Sequence, residues 1–157
     1  MKNLKKIVIK KLIKNKIKIA RAESCTGGLL SASITSVPGS SKVLAFSLVT
    51  YSNRSKINLL KVPAKMIKKY GAVSKQVCLA MVKNVSKIGE SSLSVSITGI
   101  AGPSGNTKNK PIGLIYIGIK KGNKIKVKKY LFKNKGRSYI QKTAVNKCLL
   151  LILNSLK

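Results

Sequence analysis

The chain has 157 residues, of which 33 are Lys or Arg, two are acidic and none is His, so its formal net charge is +31. Without histidine there can be no Ser-His-Asp triad, no Cys-His dyad and no His-ligated metal. Two acids allow at most one pair of carboxylates for a metal cage or for acid–base work. The candidate functional groups are therefore Ser, Thr, Tyr, Cys and Lys side chains and backbone amides.

The length and the even composition predict a single domain over residues 1–157. The three cysteines, Cys25, Cys78 and Cys148, are widely spaced and lack a CxxC pair, which argues against a disulfide framework or a zinc site. Lysines interrupt the N-terminus, and no apolar run is long enough to cross a bilayer. We therefore expect a cytoplasmic protein with no membrane partner, no metal and no cofactor.

The positive charge has two readings, a nucleic-acid surface or a composition drifted by AT-rich coding. Nucleic-acid surfaces cluster their basic residues and interleave them with aromatics, whereas these lysines occur in every segment and aromatics make up only 4%. We favour drift, and expect no more than non-specific nucleic-acid binding at low salt.

Hydrophobic periodicity and turn residues predict alternating helices and strands. Helices are predicted at 4–14, 26–37, 54–60, from just after Pro63 to about Tyr70, at 75–87 with Ser74 as its N-cap, and at 137–156. Strands are predicted at 17–22, 43–51, 93–97, 112–120 and 124–132, with 43–51 expected to be buried because it is almost wholly apolar. This order predicts an α/β three-layer sandwich, with a mixed sheet, helices on both faces and a C-terminal hairpin and helix.

The segment ESCTGG at 23–28 joins a predicted strand to a predicted helix. Its backbone N–H groups and hydroxyls are suited to hold an anion or an oxyanion. The same pattern is also an ordinary helix N-cap with glycines for close packing, and spacing alone favours that simpler reading.

Two further stretches have a functional and a simpler reading. The loop TGIAGPSG at 98–105 lets a ligand approach the backbone, but it is equally typical of a flexible surface loop. Lys56 follows the predicted strand 43–51, where partial desolvation would favour its neutral, proton-accepting form. In a chain so rich in lysine, a solvated Lys56 is the more common case.

Four linked motifs occur in order: AESCTGG at 22–28, PGSS at 38–41, VTYSN at 49–53 with Lys56, and TGIAGP at 98–103 followed by KPIG at 110–113. With these motifs, the chain from about Leu4 to its end resembles the C-terminal domain of the CinA (competence/damage-inducible) proteins. The resemblance implies a nicotinamide-nucleotide amidohydrolase, which converts nicotinamide mononucleotide to nicotinate mononucleotide and ammonia in pyridine-nucleotide recycling. The additional N-terminal domain of larger family members is not expected in 157 residues.

Carried over residue by residue, the resemblance implies a Ser-Lys type mechanism. Ser41 would be the nucleophile, Lys56 its activating base and Tyr51 a group that relays or orients the proton, while Ser24 lines the same pocket. Ser24 as the nucleophile, at the start of its helix, is the alternative. Backbone amides of segments 24–28 or 98–102 would stabilise the oxyanion.

The motif residues around these groups are the expected substrate contacts: Glu23, Cys25, Thr26, Gly27 and Gly28 on the first turn, Asn53 after the strand, and Thr98, Gly99, Ala101 and Gly102 on the glycine-rich loop. Glu23 is expected either to form a salt bridge or cap, or to orient Lys56 or bind ribose. Cys25 lacks a histidine to activate it and is interpreted as a small packed residue. Arg137 stands one position away from the family's spacing, so a phosphate contact by it is doubtful.

The sequence also predicts how the chain could associate with copies of itself or with other molecules. The hairpin at 112–132 leaves a strand edge that a neighbouring copy would cover, so a homodimer or larger homo-oligomer is expected. The alternative to the enzyme is a catalytically decayed homologue that keeps the fold and binds nucleic acid or another polyanion.

Overall fold

One mixed sheet of five strands, in the order β2-β1-β3-β4-β5, organises residues 2–157, the part of the chain that the computed structural model describes. The first three strands are parallel to one another, and β4 and β5 continue the sheet in antiparallel pairs. The strands are β1 (Ile19–Glu23), β2 (Leu44–Val49), β3 (Leu93–Gly99), β4 (Leu114–Lys121) and β5 (Lys124–Leu131). The helices are α1 (Lys2–Lys14), α2 (Leu29–Thr35), α3 (Asn53–Asn58), α4 (Ala64–Tyr70), α5 (Lys75–Ile88) and α6 (Arg137–Ser155).

Helices cover both faces of the sheet, which confirms the predicted sandwich. Strand β1 lies near the centre and is buried along its whole length. Because successive side chains of a strand point to opposite faces, Ile19 packs in the larger core with α1 and α6, and Ala20 and Ala22 pack in the smaller core with α4 and α5.

The predicted helices and their caps are largely confirmed. Ser74 caps α5, since its hydroxyl accepts a hydrogen bond from the Val77 N–H at 3.2 Å. Helix α2 is shorter than predicted and begins only at Leu29, because Gly27 and Gly28 have positive φ angles of 59° and 99°. Those angles lie outside the right-handed helical region, so the two glycines form a turn before the helix.

Strand β2 differs from the prediction in its environment. It was expected to be buried, but it is an edge strand in which half-buried and exposed residues alternate. An apolar run is typical both of a central strand and of some edge strands. The composition of 43–51 therefore did not show whether the strand has one neighbour or two.

Candidate active site

A cavity of about 380 Å³ lies at the carboxyl ends of β1 and β3. Open α/β sheets bind ligands at this end of their parallel strands. The walls come from five parts of the chain: Ser24 and Cys25 after β1, Tyr51 and Lys56 after β2, Ala72 and Val73 before α5, residues 98–105 at the end of β3 and in the loop that follows it, and Arg137 at the start of α6.

The position of Lys56 is fixed by how β2 ends. The Thr50 N–H donates to the Glu23 carbonyl at 2.8 Å, which keeps the end of β2 beside the end of β1. Ser52 then caps α3, its hydroxyl accepting from the Ser55 N–H at 3.0 Å. Lys56 therefore lies in the last turn of the short helix α3, and its side chain reaches Ser24, which follows β1.

Lys56 contacts Ser24 directly, and both side chains are buried. Its Nζ donates to Ser24 Oγ at 2.9 Å, to the Thr50 carbonyl at 2.8 Å and to the Tyr51 carbonyl at 3.1 Å. A neutral amine has two N–H groups and one lone pair. If the two carbonyls accept both N–H groups, the lone pair points at the Ser24 hydroxyl, which is the geometry of a base beside a nucleophile.

Burial also brings Lys56 towards its neutral form. The side chain is only 1% exposed, and desolvation of the ammonium lowers the pKa of Lys56 from its ordinary 10.5 to about 8. About a tenth of Lys56 is then unprotonated at pH 7 and about half at pH 8, and this neutral form is the one that a general base requires.

Glu23, one of only two acids in the chain, does not neutralise Lys56. Its fully buried carboxylate accepts four hydrogen bonds, from the Thr26 hydroxyl at 2.7 Å, the Leu30 N–H at 3.0 Å, the Ser31 N–H at 2.8 Å and the Ser31 hydroxyl at 2.6 Å. These donors are the first turn of α2 and its preceding loop, where a negative charge is favoured. Glu23 thus acts as the cap, and it fixes the turn that carries Ser24.

The glycine-rich loop forms another wall of the cavity that Lys56 lines. Thr98 anchors it, since its hydroxyl donates to the Ala72 carbonyl at 3.0 Å. Gly99 permits a close approach, because an added Cβ would lie 2.6 Å from the Leu114 carbonyl oxygen. Gly102 has a φ of 81°, which favours glycine.

Arg137 ties the loop to the other wall of the cavity. One guanidinium nitrogen donates to the Gly102 carbonyl at 2.9 Å and another to the Tyr51 hydroxyl at 2.7 Å. The displaced spacing of Arg137 therefore does not remove it from the cavity. The Tyr51 hydroxyl is engaged by Arg137, and Lys56 contacts only the backbone carbonyl of Tyr51.

Four backbone N–H groups beside Ser24 have no acceptor within residues 2–157. They belong to Cys25 and Thr26 on the turn and to Ala101 and Gly102 on the loop. Free donors next to a nucleophile are the elements of an oxyanion hole. Burial raises the pKa of the Cys25 thiol to about 12, which keeps this thiol protonated and unreactive near neutral pH.

The structure does not bring Ser41 to Lys56 within one chain. Ser41 is exposed in the short 3₁₀ helix Ser40–Lys42, before β2 begins. Tyr51 and Lys56 follow the opposite end of β2, and a six-residue strand spans about 20 Å. The pairing of Ser41 with its own Lys56 is therefore replaced by the alternative, Ser24.

The other predicted residues divide into two groups. Those that line the cavity are Ser24, Cys25, Tyr51, Lys56, Thr98, Gly99, Ala101 and Gly102. Those that do not line it are Glu23, Thr26, Gly27, Gly28 and Asn53. Thr26 is buried against Glu23, whereas Gly27 and Asn53 are exposed.

Sequence reasoning missed Ala72 and Val73, which complete the wall. They are small apolar residues between α4 and α5 with no chemical signature. The only available signal was Gly71, which ends α4 and turns the chain towards the loop anchored by Thr98.

Fold and cavity together define a class: an α/β protein with a buried Ser-Lys pair at the carboxyl ends of its parallel strands. Within residues 2–157 no three His, Cys, Asp or Glu residues are grouped to hold a metal ion, and none of the helices described there is long and apolar enough to cross a membrane. The family model of the CinA C-terminal domain matches residues 1–156. The chain belongs to this family.

Named relatives agree with this membership. A CinA-like protein of Prochlorococcus marinus subsp. pastoris is 48% identical over 161 residues, which cover 99% of this chain and 37% of the relative. A putative competence-damage inducible protein of Clostridium botulinum (strain Loch Maree / Type A3) is 44% identical, covering 94% of this chain and 36% of that protein. The chain thus spans little more than a third of the length of these relatives.

Solved structures share the fold over almost the whole chain. The competence/damage inducible protein CihA from Agrobacterium tumefaciens superposes with a TM-score of 0.94 at 32% identity, over 98% of this chain and 93% of that one. A CinA-superfamily protein from Klebsiella pneumoniae superposes with the same TM-score at 25% identity.

Proposed function

We propose that this chain is a nicotinamide-nucleotide amidohydrolase, which converts nicotinamide mononucleotide and water to nicotinate mononucleotide and ammonia. The observation that carries the proposal is the buried contact of Lys56 Nζ with Ser24 Oγ at 2.9 Å. It pairs a nucleophile with a base in a chain that has no histidine. Membership of the CinA family supports the substrate class.

The chemistry follows from these groups. Neutral Lys56 takes the hydroxyl proton of Ser24 as the Ser24 oxygen attacks the carboxamide carbon. The free N–H groups of Cys25 and Thr26, or those of Ala101 and Gly102, stabilise the oxyanion. The Lys56 ammonium then gives its proton to the leaving nitrogen and ammonia departs. Lys56 next removes a proton from water, which attacks the ester, and the carboxylic acid leaves as Ser24 regains its proton.

Tyr51 and Arg137 have a binding role in this scheme. Arg137 donates to the Tyr51 hydroxyl at 2.7 Å, whereas Lys56 donates to the Tyr51 backbone carbonyl. We assign both to positioning the nucleotide, in place of the proton relay expected for Tyr51. The net charge of +31 attracts the anionic phosphate of the substrate.

The setting proposed for this activity is the cytoplasm, where pyridine nucleotides are recycled. The three cysteines are buried free thiols, as in a reducing compartment.

Ammonia release from nicotinamide mononucleotide tests the proposal. Folded protein should release ammonia with a chelator present, because no three His, Cys, Asp or Glu residues are grouped to hold a metal within residues 2–157. Lys56→Arg should lower kcat by about 10²-fold or more, since a guanidinium does not give up its proton at usable pH. Lys65→Arg, an exposed site on α4, is the matched control. Folded protein without turnover, or turnover lost with chelator, contradicts the proposal.

A further inference from the structure

Helix α6 contacts the turn that carries Ser24 as well as the glycine-rich loop. Gln141 stands four positions after Arg137 on α6, so the two side chains lie on one face of the helix. The Gln141 Nε2 donates to the Cys25 carbonyl at 2.8 Å, in a partly buried contact. A carbonyl can only accept a hydrogen bond, so the group of Gln141 that faces Cys25 is the NH₂ of its amide. Gln141 thus fastens the turn to α6.

The carbonyl that Gln141 holds belongs to the central peptide of a β-turn. The Ser24 carbonyl accepts from the Gly27 N–H at 2.9 Å, which closes the turn. Cys25 and Thr26 are its central residues, and neither has a positive φ. The turn is therefore not of type II, in which the central peptide is rotated by about half a revolution. Gln141 holds the peptide in the orientation that it has here.

The same peptide carries the Thr26 N–H, one of the free donors beside Ser24. In a trans peptide the C=O and the N–H point in opposite directions, so a side chain that fixes the Cys25 carbonyl also fixes the Thr26 N–H. Rotation of this peptide would direct the carbonyl oxygen to where the N–H now points. A carbonyl oxygen there would repel an oxyanion instead of stabilising it.

The turn presents two adjacent fixed donors, whereas the loop does not. The Cys25 N–H is fixed because the Ser24 carbonyl of its peptide is held within the turn. On the loop, the Gly102 N–H belongs to a peptide whose Ala101 carbonyl meets no donor within residues 2–157. Preorganised donors are the ones that stabilise a developing charge, so the turn is better suited than the loop to hold an oxyanion.

We propose that Gln141 is a positioning residue, which holds the turn after Ser24 so that the N–H groups of Cys25 and Thr26 form the oxyanion hole. The assignment rests on the proposed function. Gln141 does not line the cavity, so it acts through the peptide that it holds and makes no contact with the substrate. Its contribution therefore falls on the transition state, where the oxyanion exists, and not on binding of the substrate.

Gln141→Met tests this role, because methionine keeps the length of the side chain and removes its donor. Loss of one oxyanion-hole donor lowers kcat by about 10²–10³-fold. Thr26 is β-branched and resists the positive φ that the rotated peptide requires, so the substitution loosens the turn without reversing it. We expect kcat to fall by about 10- to 100-fold. The KM for nicotinamide mononucleotide should stay within about twofold, since the lost interaction is made only in the transition state.

Two further variants separate the hydrogen bond from side-chain packing. Gln141→Lys keeps a donor at this position and should retain kcat within about threefold. Gln76→Met makes the same substitution as Gln141→Met at the other glutamine of the chain, half-buried on α5, and should leave kcat and KM unchanged. Urea unfolding of each protein checks that a lower kcat does not come from a smaller folded fraction.

The outcomes distinguish this role from the proposed function. If native protein turns over nicotinamide mononucleotide and Gln141→Met keeps the native kcat, the role of Gln141 is overturned and the proposed function stands. The role is also overturned if a rise in KM accounts for the whole loss of kcat/KM, or if Gln141→Lys loses as much kcat as Gln141→Met. Folded native protein without turnover overturns the proposed function and this role with it.

Discussion

Burial of Lys56 has two consequences: it lowers the pKa of the amine, and it lowers the free energy of unfolding while the amine is charged. The substitution Lys56→Met tests the second consequence. Methionine keeps the length and the apolar stem of the side chain and removes the titrating amine. Because burial lowers the pKa of Lys56 from 10.5 to about 8, the folded chain binds fewer protons than the unfolded chain between these values. The free energy of unfolding of the native protein should therefore rise with pH across that window.

The size of the effect follows from the same shift. One pKa unit corresponds to about 1.4 kcal/mol, so holding the ammonium form in this site costs about 3 kcal/mol at pH values below 8. The side chain is almost wholly buried, and solvent does little to reduce that cost. Lys56→Met also loses the hydrogen bonds to the Thr50 and Tyr51 carbonyls, but that loss does not vary with pH.

Urea unfolding of both proteins at a series of pH values measures the difference. The advantage of Lys56→Met over the native protein should be largest below about pH 8 and should fall by about 3 kcal/mol as the pH approaches 10.5. Lys65→Met removes one exposed charge from α4 and controls for net charge. If the free energies of the native protein and Lys56→Met run parallel over this range, Lys56 is not held in a desolvating site.

Three further outcomes are expected. Glu23→Gln places an amide donor against the N–H groups of α2, so the free energy of unfolding should fall by about 2–3 kcal/mol. An unchanged urea midpoint would show that the four hydrogen bonds of the Glu23 carboxylate are not needed for stability. In Arg137→Lys the shorter amine cannot bind the Gly102 carbonyl and the Tyr51 hydroxyl at the same time. The KM for nicotinamide mononucleotide should therefore rise about tenfold while kcat stays nearly unchanged. An unaltered KM would contradict the role of Arg137 in binding the nucleotide. DNA binding should be indifferent to sequence and should weaken steeply with salt, as fluorescence anisotropy will show; sequence-dependent binding at physiological salt would favour a polyanion-binding protein.

Much of the fold could be predicted because local signals agreed with tertiary packing. Ser74 is a good N-cap at the start of an amphipathic pattern, and it caps α5 as expected. The alternation of strands and helices also sufficed for the mixed sheet and its two covered faces. The environment of β2 could not be predicted in the same way, because an apolar run does not say whether a strand has one neighbour or two.

The sequence predicted most residues of the site, but it did not predict which serine contacts Lys56. The motifs indicated Ser24, Lys56 and the loop 98–105, and the structure brings these together. The predicted pairing of Ser41 with Lys56 ignored the length of the strand between them. These two residues flank opposite ends of that strand, so they cannot meet within one chain. Arg137 was doubted on spacing, yet a side chain of that length reaches the cavity from the start of α6.

Rates of ammonia release by Ser24→Ala and Ser41→Ala proteins, measured side by side with nicotinamide mononucleotide, test the central claim most directly. If Ser24 is the nucleophile activated by Lys56, Ser24→Ala should lose about 10⁴-fold or more in kcat, on the scale seen when a nucleophile is removed. Ser41→Ala should keep kcat within about tenfold, since Ser41 precedes β2 and lies about 20 Å from the Lys56 end of that strand. Near-normal turnover by Ser24→Ala, together with loss of turnover in Ser41→Ala, would contradict the account.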